Sequence, residues 1–376
     1  MSKSGKADLR HEAANVDVLI AGAGPAGALA ARHLALAGRS VLIVDRLRPA
    51  SPRLGETLPG AGVRLLARQG LGAVAEAGAH HAPVGGGLTV WGGPHAMPSD
   101  ALRDPYGPGL RLDRAQFDAA LRSACRAAGC SWWTANLQHL QRDEGGWHID
   151  LHDGRCVRAG VVIDATGRAA RVVRRLGVSH QRTSELVAVY RIAHPATNND
   201  LSRTVIEATP DGWIYAGRLA DGRWAVGYHT LPKTAVQIRQ SSDLWAATLS
   251  AAPYLRDCLG PIVWAEPGIV REAGGIGLSV SYGDGWLAVG DAALAFDPIA
   301  GQGLFNALRT GLAAAEALLA ATPSALSAYG AELARVAAIY AGRRAALYQA
   351  ETRWADRPFW QAQQQAAILA AEPAVG

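Results

Sequence analysis

Lysine is scarce in this chain of 376 residues and occurs only at Lys3, Lys6 and Lys233. Arginine supplies the other 34 basic residues, which are scattered and form no basic stripe interleaved with aromatic residues. The formal net charge of +5 is therefore interpreted as a bias of composition, with an acidic partner or cofactor phosphates as the alternative. We expect no nucleic-acid binding.

Cysteine is also rare, with four residues and no C-x-x-C pair. A disulfide framework or a cysteine metal site requires a denser or closer spacing. We therefore expect Cys125, Cys130, Cys156 and Cys258 to be reduced thiols of a cytoplasmic protein, and we expect no metal site.

Long apolar runs are missing as well. Residues 1–15 are polar and charged, which predicts a flexible tail and excludes the apolar core of a signal peptide. The Ala-rich stretch 312–321 is too short to span a bilayer and contains Glu316. The sequence predicts a soluble, unexported protein without a membrane partner.

What is present is the pattern of an α/β protein. The composition is 49% hydrophobic and 18% charged, and the length allows two or three domain-sized units. Residues 16–45 form one βαβ pattern, with an apolar strand, a glycine turn, an Ala/Leu helix and a second apolar strand. A helix is predicted at 113–129 from its N-cap aspartate, and the apolar run at 156–167 indicates a return to the same sheet.

Beyond residue 182 the pattern changes to short strands that contain aromatic residues, separated by Asp-Gly turns at 211–212 and 221–222. Such strands predict a mostly antiparallel sheet inserted between two halves of a nucleotide-binding domain. The predicted divisions are a tail at 1–15, a nucleotide-binding domain at 16–182 and 279–322, a substrate-binding β-sheet domain at 183–278, and C-terminal helices at 323–376.

A G-x-G-x-x-G fingerprint consists of Gly22, Gly24 and Gly27. It follows a strand and opens a helix, and Asp45 ends the next strand, which is the context of a dinucleotide site. Gly22 permits the tight turn, Gly24 lets a pyrophosphate approach, Gly27 allows close helix–strand packing, and Asp45 would accept hydrogen bonds from a ribose. The neighbouring Ala26 and Arg46 complete the expected contacts.

A second segment decides between NAD and FAD. Gly290 and Asp291 end an apolar strand, and the loop that follows opens a long helix near Gly301 and Gly303. A carboxylate there can bind ribityl hydroxyls, and the helix dipole can stabilise negative charge on a flavin pyrimidine. The two segments together predict FAD.

These motifs resemble those of the FAD-dependent monooxygenases and halogenases related to the aromatic hydroxylases. The D-R-x-x-F-D helix start at 113–118, the A-T-G turn at 165–167 and the G-D…D-P-x-x-G-x-G pattern recur there in this order. The resemblance implies that Arg114 contacts the FAD phosphates or ribose, and that Asp291 contacts the ribityl chain. It implies contacts with the isoalloxazine ring for Pro298, Gly301 and Gly303 and a cofactor contact for Gly167 of the A-T-G turn, with Asp297 either functional or a turn cap.

The segment at 52–72 resembles the G-E-[ST]-x-P strap of the tryptophan-halogenase-like branch, which implies flavin contacts for Gly55, Glu56 and Thr57; an ordinary loop capped by Thr57 is the alternative. The fold class follows as α/β: an FAD-binding three-layer ββα domain of glutathione-reductase type, an inserted antiparallel substrate sheet and a helical C-terminus.

The resemblance implies a monooxygenase that hydroxylates an electron-rich ring through a flavin C4a-hydroperoxide, with O2 as co-substrate. Halogenation is disfavoured because the halogenases use a lysine beyond the strap, and none lies between Lys6 and Lys233. The strap and loop are most similar to flavoprotein maturases of tryptophan-derived quinone cofactors, which implies a protein-borne tryptophan as substrate; a small aromatic molecule is the alternative.

Two rival hypotheses are a C=C reductase of the geranylgeranyl-reductase type and a flavin-binding partner without turnover. Because no second glycine fingerprint has strand and helix context, the electron donor is expected to be NAD(P)H bound transiently or a separate flavin reductase.

Catalytic candidates lie on the predicted antiparallel sheet. Trp213 and Tyr215 share one strand face, where an aromatic pair is either core or a substrate platform. His229 and His194 could deprotonate an indole or phenol, because imidazole titrates near neutral pH. We select Trp213, Tyr215 and His229 as the catalytic candidates.

Overall fold

The computed structural model describes residues 13–46, 56–78, 80–196, 202–265 and 268–371. The predicted flavin contact Gly55 lies outside these residues. The α-helices are α1 Pro25–Leu36, α2 Gly60–Arg68, α3 Arg114–Ala127, α4 Arg171–Arg175, α5 Pro232–Gln240, α6 Ser242–Ser250, α7 Pro253–Leu259, α8 Gly303–Ala320, α9 Pro323–Ala350 and α10 Pro358–Ala371.

Strands supply four sheets, two of eight strands and two of three. In the first half of the chain they are β1 Ala13–Ala21, β2 Val41–Asp45, β3 Thr57–Leu58, β4 His81–Pro83, β5 Gly86–Val90, β6 Met97–Asp100, β7 Leu110–Leu112, β8 Ser131–Thr134, β9 Leu137–Asp143, β10 Gly146–Leu151 and β11 Cys156–Asp164. In the second half they are β12 His180–Arg182, β13 Val187–Pro195, β14 Thr204–Thr209, β15 Gly212–Arg218, β16 Trp224–Thr230, β17 Ile262–Trp264, β18 Ile269–Glu272, β19 Ile276–Leu278, β20 Tyr282–Gly283, β21 Trp286–Ala288 and β22 Leu294–Ala295.

The first large sheet has the strand order β20-β21-β11-β1-β2-β8 and is parallel from β21 to β8. The antiparallel pair β9 and β10 branches from β11. Leu19 and Ile20 of β1 are fully buried, which explains why the parallel strands are continuous apolar runs rather than alternating ones. The return of the 156–167 segment to the first sheet is confirmed by the pairing of β11 with β1.

Helix α1 covers this sheet and packs against α3 and α8. The predicted N-cap Asp113 accepts hydrogen bonds from the backbone N–H groups of Ala115 and Gln116, so α3 begins where the sequence indicates. The contact between α1 and α8 is close because Gly311 has no side chain, and a Cβ atom there would overlap the carbonyl oxygen of Ala26. No helix among the described residues is long and apolar enough to cross a membrane.

The second large sheet has the order β17-β13-β16-β15-β14-β5-β6, with β18 also paired to β13. Its pairs are antiparallel except for β14 with β5, so the expected mostly antiparallel sheet is present. The division at 183–278 stays a prediction, and it leaves out β5 and β6.

Helices cover both faces of the second sheet. The buried residues of α5–α7 form one apolar cluster with Ile214, Trp224 and Tyr228. On the opposite face, Trp213 packs with aromatic residues of α9 and α10. The sequence pattern predicted only strands for 183–278 and missed helices α5–α7. Pro232 and the N-cap Ser241 mark helix starts in that range.

Candidate active site

The glycine turn after β1 leaves an uncapped helix start. Gly22 has a φ of +106°, and a Cβ atom on it would overlap the carbonyl oxygen of Ala165. A Cβ atom on Gly27 would overlap the carbonyl oxygen of Gly22. At Gly24 no atom lies within 4 Å of the Cβ position, and no side chain caps the N-terminus of α1. This backbone is open to an anionic group such as a diphosphate.

A smaller cavity of about 270 Å3 lies beside this turn. Its lining includes Gly22, Gly24, Asp45 and Arg46. One carboxylate oxygen of Asp45, Oδ2, accepts a hydrogen bond from the backbone N–H of Ala23 at 3.1 Å. The carboxylate is therefore held at the mouth of the glycine turn, where a ribose contact is predicted.

A larger cavity of about 580 Å3 adjoins the smaller one, and Gly24, Ala165 and Gly167 line both. It extends from the start of α1 to the face of the second sheet. It brings together most of the predicted site residues, namely Gly24, Ala26, Glu56, Thr57, Arg114, Gly167, Gly290, Asp291, Pro298, Gly301 and Gly303 with Trp213, Tyr215 and His229. Gly27 lines neither cavity and acts through packing.

The exposed residues Arg271, Glu272 and Gln302 also line the larger cavity, so it opens to the surface between β18 and the start of α8. Such a mouth gives a substrate access from outside.

Asp291 lies in the larger cavity between two cations. Its Oδ2 is 3.7 Å from Nε of Arg168. Burial raises the pKa of Asp291, and the guanidinium groups of Arg168 and Arg114 oppose that rise. The side chain is enclosed by protein yet 40% exposed, because it lines the cavity. The carboxylate is thus presented to whatever occupies the cavity.

Arg168 was not anticipated. It donates hydrogen bonds to the carbonyl oxygens of Gly274 and Phe296, at 2.5 and 2.7 Å. These contacts place it opposite Asp291. Its position directly after the A-T-G turn was the available signal in the sequence.

Arg114 lines the cavity and pairs with Asp118 one helical turn later, at 3.3 Å.

Asp297 is a buried anchor of the loop before α8. Its Oδ1 accepts from the backbone N–H of Ile299 at 3.0 Å, which supports the turn-cap interpretation. Its Oδ2 accepts from the hydroxyl of Tyr348 at 2.8 Å and lies 3.3 Å from Nε of Arg344. Burial raises the pKa of Asp297, and Arg344 opposes this. Helix α9 therefore holds the loop.

The start of α8 faces the larger cavity with open backbone. Gly301 has a φ of +61°, and neither Gly301 nor Gly303 has an atom within 4 Å of its Cβ position. No side chain caps this helix start. Its N–H groups and partial positive charge are available to the electron-rich end of a ligand.

The strap residue Thr57 and the sheet residue Tyr215 share one buried cation. Arg111, 2% exposed, donates from Nη1 to the hydroxyls of Thr57 and Tyr215, both at 2.5 Å, and from Nη2 to Thr204 at 2.8 Å. The sequence did not indicate Arg111. Gly217 in mid-strand was a signal, because a Cβ atom there would lie 2.6 Å from Nη1.

His229 stacks on Trp213 at the cavity wall, with ring centroids 3.6 Å apart and an interplanar angle of 4°. The hydroxyl of Tyr190 lies 3.2 Å from Nε2 of His229. Burial lowers the pKa of His229 to about 3, although hydrogen bonding with the backbone of Gly227 and Trp213 acts to raise it. The expectation that this imidazole titrates near neutral pH is therefore wrong, and the ring is neutral at pH 7.

Tyr190 is a further wall residue without a clear sequence signal. Its ring occupies the space beside Gly227, where a Cβ atom would overlap it. The alternative candidate His194 is exposed on β13 and does not line the cavity. Of the strand-face aromatic residues, Tyr215 is a cavity residue, whereas Trp213 is both cavity wall and core.

The family described as FAD binding domain matches residues 15–223. The chain belongs to this family. The two cavities fit FAD, because open glycine backbone and an uncapped helix start lie at each end of their common path. The protein is an FAD-dependent oxidoreductase.

Two relatives cover most of the chain. The putative FAD-dependent oxidoreductase LodB of Marinomonas mediterranea is 26% identical over 354 residues, which is 92% of this chain and 96% of LodB. Digeranylgeranylglycerophospholipid reductase 1 of Methanopyrus kandleri is 30% identical over 321 residues, 80% of this chain and 79% of the reductase.

Two solved structures share the fold. The flavin-dependent halogenase CmlS has a TM-score of 0.81 at 23% identity, over 93% of this chain and 68% of CmlS. The peptidyl tryptophan dihydroxylase QhpG, essential for tryptophylquinone cofactor biogenesis, has a TM-score of 0.69 at 24% identity, over 93% of this chain and 79% of QhpG. The predicted fold class and the resemblance to the hydroxylase and halogenase superfamily are confirmed.

Proposed function

We propose that this protein is an FAD-dependent monooxygenase that hydroxylates an electron-rich aromatic ring, with a tryptophan side chain of a partner protein as the substrate. The observation that carries the proposal is the larger cavity, which runs from the open start of α8 to a wall of aromatic side chains. QhpG, a peptidyl tryptophan dihydroxylase with the same fold over 93% of this chain, supports the substrate class, and LodB, a putative FAD-dependent oxidoreductase similar over 92% of this chain, supports the enzyme class.

The cofactor end of the cavity is suited to a reduced flavin. FAD, once reduced and supplied with O2, provides the oxygen-transfer chemistry. The N–H groups at Gly303 and the α8 dipole would stabilise negative charge on a bound ring, and Asp291 would accept hydrogen bonds from the ribityl hydroxyls. NAD(P)H or a separate reductase supplies the electrons.

The substrate end presents two half-buried phenols in front of two buried rings. Tyr190 and Tyr215 offer contact surface, and Trp213 and His229, each 1% exposed, stand behind them. Arg111 donates to the oxygen of Tyr215, and the Thr57 side chain also hydrogen-bonds to this hydroxyl, so the phenol is held at the cavity wall. We assign Tyr215 as a hydrogen-bond donor toward the cavity, where it orients the oxygen being transferred.

His229 acts in this scheme as a neutral partner of Tyr190. With a pKa of about 3 its ring is the neutral imidazole, with a single N–H proton, at neutral pH. Its Nε2 fixes the Tyr190 hydroxyl, and its ring fixes Trp213 by stacking. We therefore assign it to positioning the wall rather than to proton removal.

Halogenation is disfavoured. Within the described ranges Lys233 is the only lysine, and it lies in α5 and does not line the cavity. The likeness to CmlS shows the fold alone.

The rival activity is reduction of a prenyl C=C bond, favoured by the 30% identity to the Methanopyrus kandleri reductase. A hydroxylase consumes O2 and adds oxygen to the substrate, whereas a C=C reductase does neither.

The test uses FAD-loaded protein reduced without oxygen and then mixed with oxygenated buffer. Three probes are compared: a tryptophan-containing peptide, free tryptophan and a geranylgeranyl lipid. We expect oxygen uptake with hydroxylation of the peptide by mass spectrometry. Saturation of the lipid without oxygen uptake would overturn the proposal, as would a reduced flavin that never reacts with oxygen, which indicates a binding protein without turnover.

A further inference from the structure

Four tryptophan rings form a continuous path from the larger cavity toward the surface. Trp213 lines the cavity, and its ring centroid is 6.4 Å from that of Trp91. The ring centroids of Trp91 and Trp360 are 5.3 Å apart, and those of Trp360 and Trp354 are 6.2 Å apart. All three separations are those of aromatic rings in direct contact.

The exposure along this path rises only at its far end. Trp213, Trp91 and Trp360 are buried. Trp354 is half-buried in the turn between α9 and α10. The guanidinium of Arg353 covers the Trp354 ring at 4.2 Å, and its charge is matched by the Glu351 carboxylate at 2.6 Å. The charge of the Arg353 guanidinium, which would oppose a positive charge on Trp354, is therefore balanced by the Glu351 carboxylate.

Tyr348 provides a parallel link. Its hydroxyl accepts from Nε1 of Trp213 at 3.1 Å and donates to Asp297 at 2.8 Å. Its ring is 5.8 Å from Trp91 and 6.0 Å from Trp360. Both links pass through Trp360 before they reach Trp354.

A core alone does not require this arrangement, and the chain contains a comparison. Trp245 and Trp264 also touch, with centroids 5.2 Å apart, under the α5–α7 face. In the part of the chain that the structure describes, no ring contact joins this pair to the path, and neither ring lines the cavity.

We infer that Trp213, Trp91, Trp360 and Trp354 conduct electrons from the surface to the flavin cavity. Trp213, which lines the cavity, would give one electron to an oxidised flavin bound there and excited by light. Trp91 then gives an electron to Trp213, Trp360 to Trp91 and Trp354 to Trp360. The missing electron is then on Trp354, whose indole N–H loses its proton to water and leaves a neutral tryptophan radical.

A one-electron reductant in the solvent, such as ascorbate, then restores Trp354, and water returns the proton. The path thus carries the oxidising equivalent of the light-excited flavin away from the cavity to the surface. It protects the half-buried phenols Tyr190 and Tyr215, which line the same cavity.

The experiment is flash-induced transient absorption of the FAD-loaded protein without substrate. We expect a long-lived neutral tryptophan radical whose decay is accelerated by ascorbate. W360F, which cuts both links, loses the long-lived radical. W354F keeps the early signal and loses the ascorbate effect. W264F is the matched control and behaves as the unsubstituted protein.

Absence of a long-lived radical in the unsubstituted protein, or identical kinetics in W354F, would overturn the inference. FAD content and thermal unfolding of each variant are measured first, and if W360F does not fold, W354F decides. Because no substrate and no oxygenation product are involved, this result is independent of the proposed hydroxylation.

Discussion

Gly290 lies directly against Ala26. A Cβ atom on Gly290 would be 3.0 Å from the Ala26 Cβ atom, and the Gly290 N–H donates to the Thr310 hydroxyl at 2.8 Å. Ala26 belongs to the first glycine segment and Gly290 to the second, although 264 residues separate them in the chain. Their contact joins the two helix starts into one path for a single dinucleotide.

The glycines of the fingerprint differ in what a methyl group would meet. Gly24→Ala places Cβ in open space, so we expect unchanged thermal unfolding of the FAD-free protein but weaker FAD binding. Gly27→Ala forces Cβ onto the Gly22 carbonyl, and we expect a loss of about 1–3 kcal/mol of stability from overpacking. Calorimetry and FAD titration check both variants; equal FAD affinity in Gly24→Ala would contradict the placement of the diphosphate.

Local signals explain which parts of the site were predictable. Gly22, Gly24, Gly27 and the Asp113 cap shape the turn or helix start in which they stand, so spacing reveals them, although Gly22 also makes room for the distant Ala165. Arg111 was missed because only long-range contacts place it: strand pairing brings it to Thr57, and packing of that small sheet against β15 brings it to Tyr215.

Tyr190 and Tyr348 were missed for the same reason. The sheet pairs Tyr190 with Gly227, and Tyr348 reaches Asp297 across 51 residues. Strand glycines were the residual clues for two of the missed residues: Gly227 makes room for Tyr190, and Gly217 makes room for Arg111.

His229 should make stability depend on pH. Its pKa in the folded protein, about 3, lies below the ordinary value of 6.5. Between these two pH values the unfolded chain therefore binds a proton at His229 that the folded chain does not bind. The contribution of the neutral His229 ring to the free energy of unfolding is complete above pH 6.5. It declines by up to about 5 kcal/mol as the pH falls toward 3.

Urea unfolding at pH 7 and pH 5 measures this effect. His229→Gln should flatten the dependence, and His194→Gln, at an exposed position, should leave it unchanged. If the stability of His229→Gln depended on pH as strongly as that of the unsubstituted protein, the ring would not be buried in its neutral form.

Tyr215→Phe removes the hydroxyl that we assign as a donor toward the cavity. We expect the rate of hydroxylation to fall by roughly 10²-fold, as on loss of a preorganised donor, with unchanged FAD content. Single-turnover kinetics separate this from substrate binding. Tyr254→Phe, an exposed tyrosine of α7, is the control; unaltered turnover in Tyr215→Phe would remove this residue from the mechanism.

Tyr348→Phe leaves the Trp213 N–H and the Asp297 Oδ2 without their shared hydroxyl. We expect a loss of about 1–3 kcal/mol in the free energy of unfolding, because buried polar groups lose a partner. Denaturant unfolding gives the value. A change within experimental error would mean that the sheet wall and the α8 loop are not coupled through this side chain.

The central claim is that oxygen from O2 enters an aromatic ring in the larger cavity. Reduced, FAD-loaded protein is mixed with 18O2 and a tryptophan-containing peptide, and the peptide is sequenced by mass spectrometry. The account predicts 18O on the indole of tryptophan. Full reoxidation of the flavin with an unlabelled peptide, together with saturation of a prenyl lipid by the same preparation under anaerobic conditions, would contradict it.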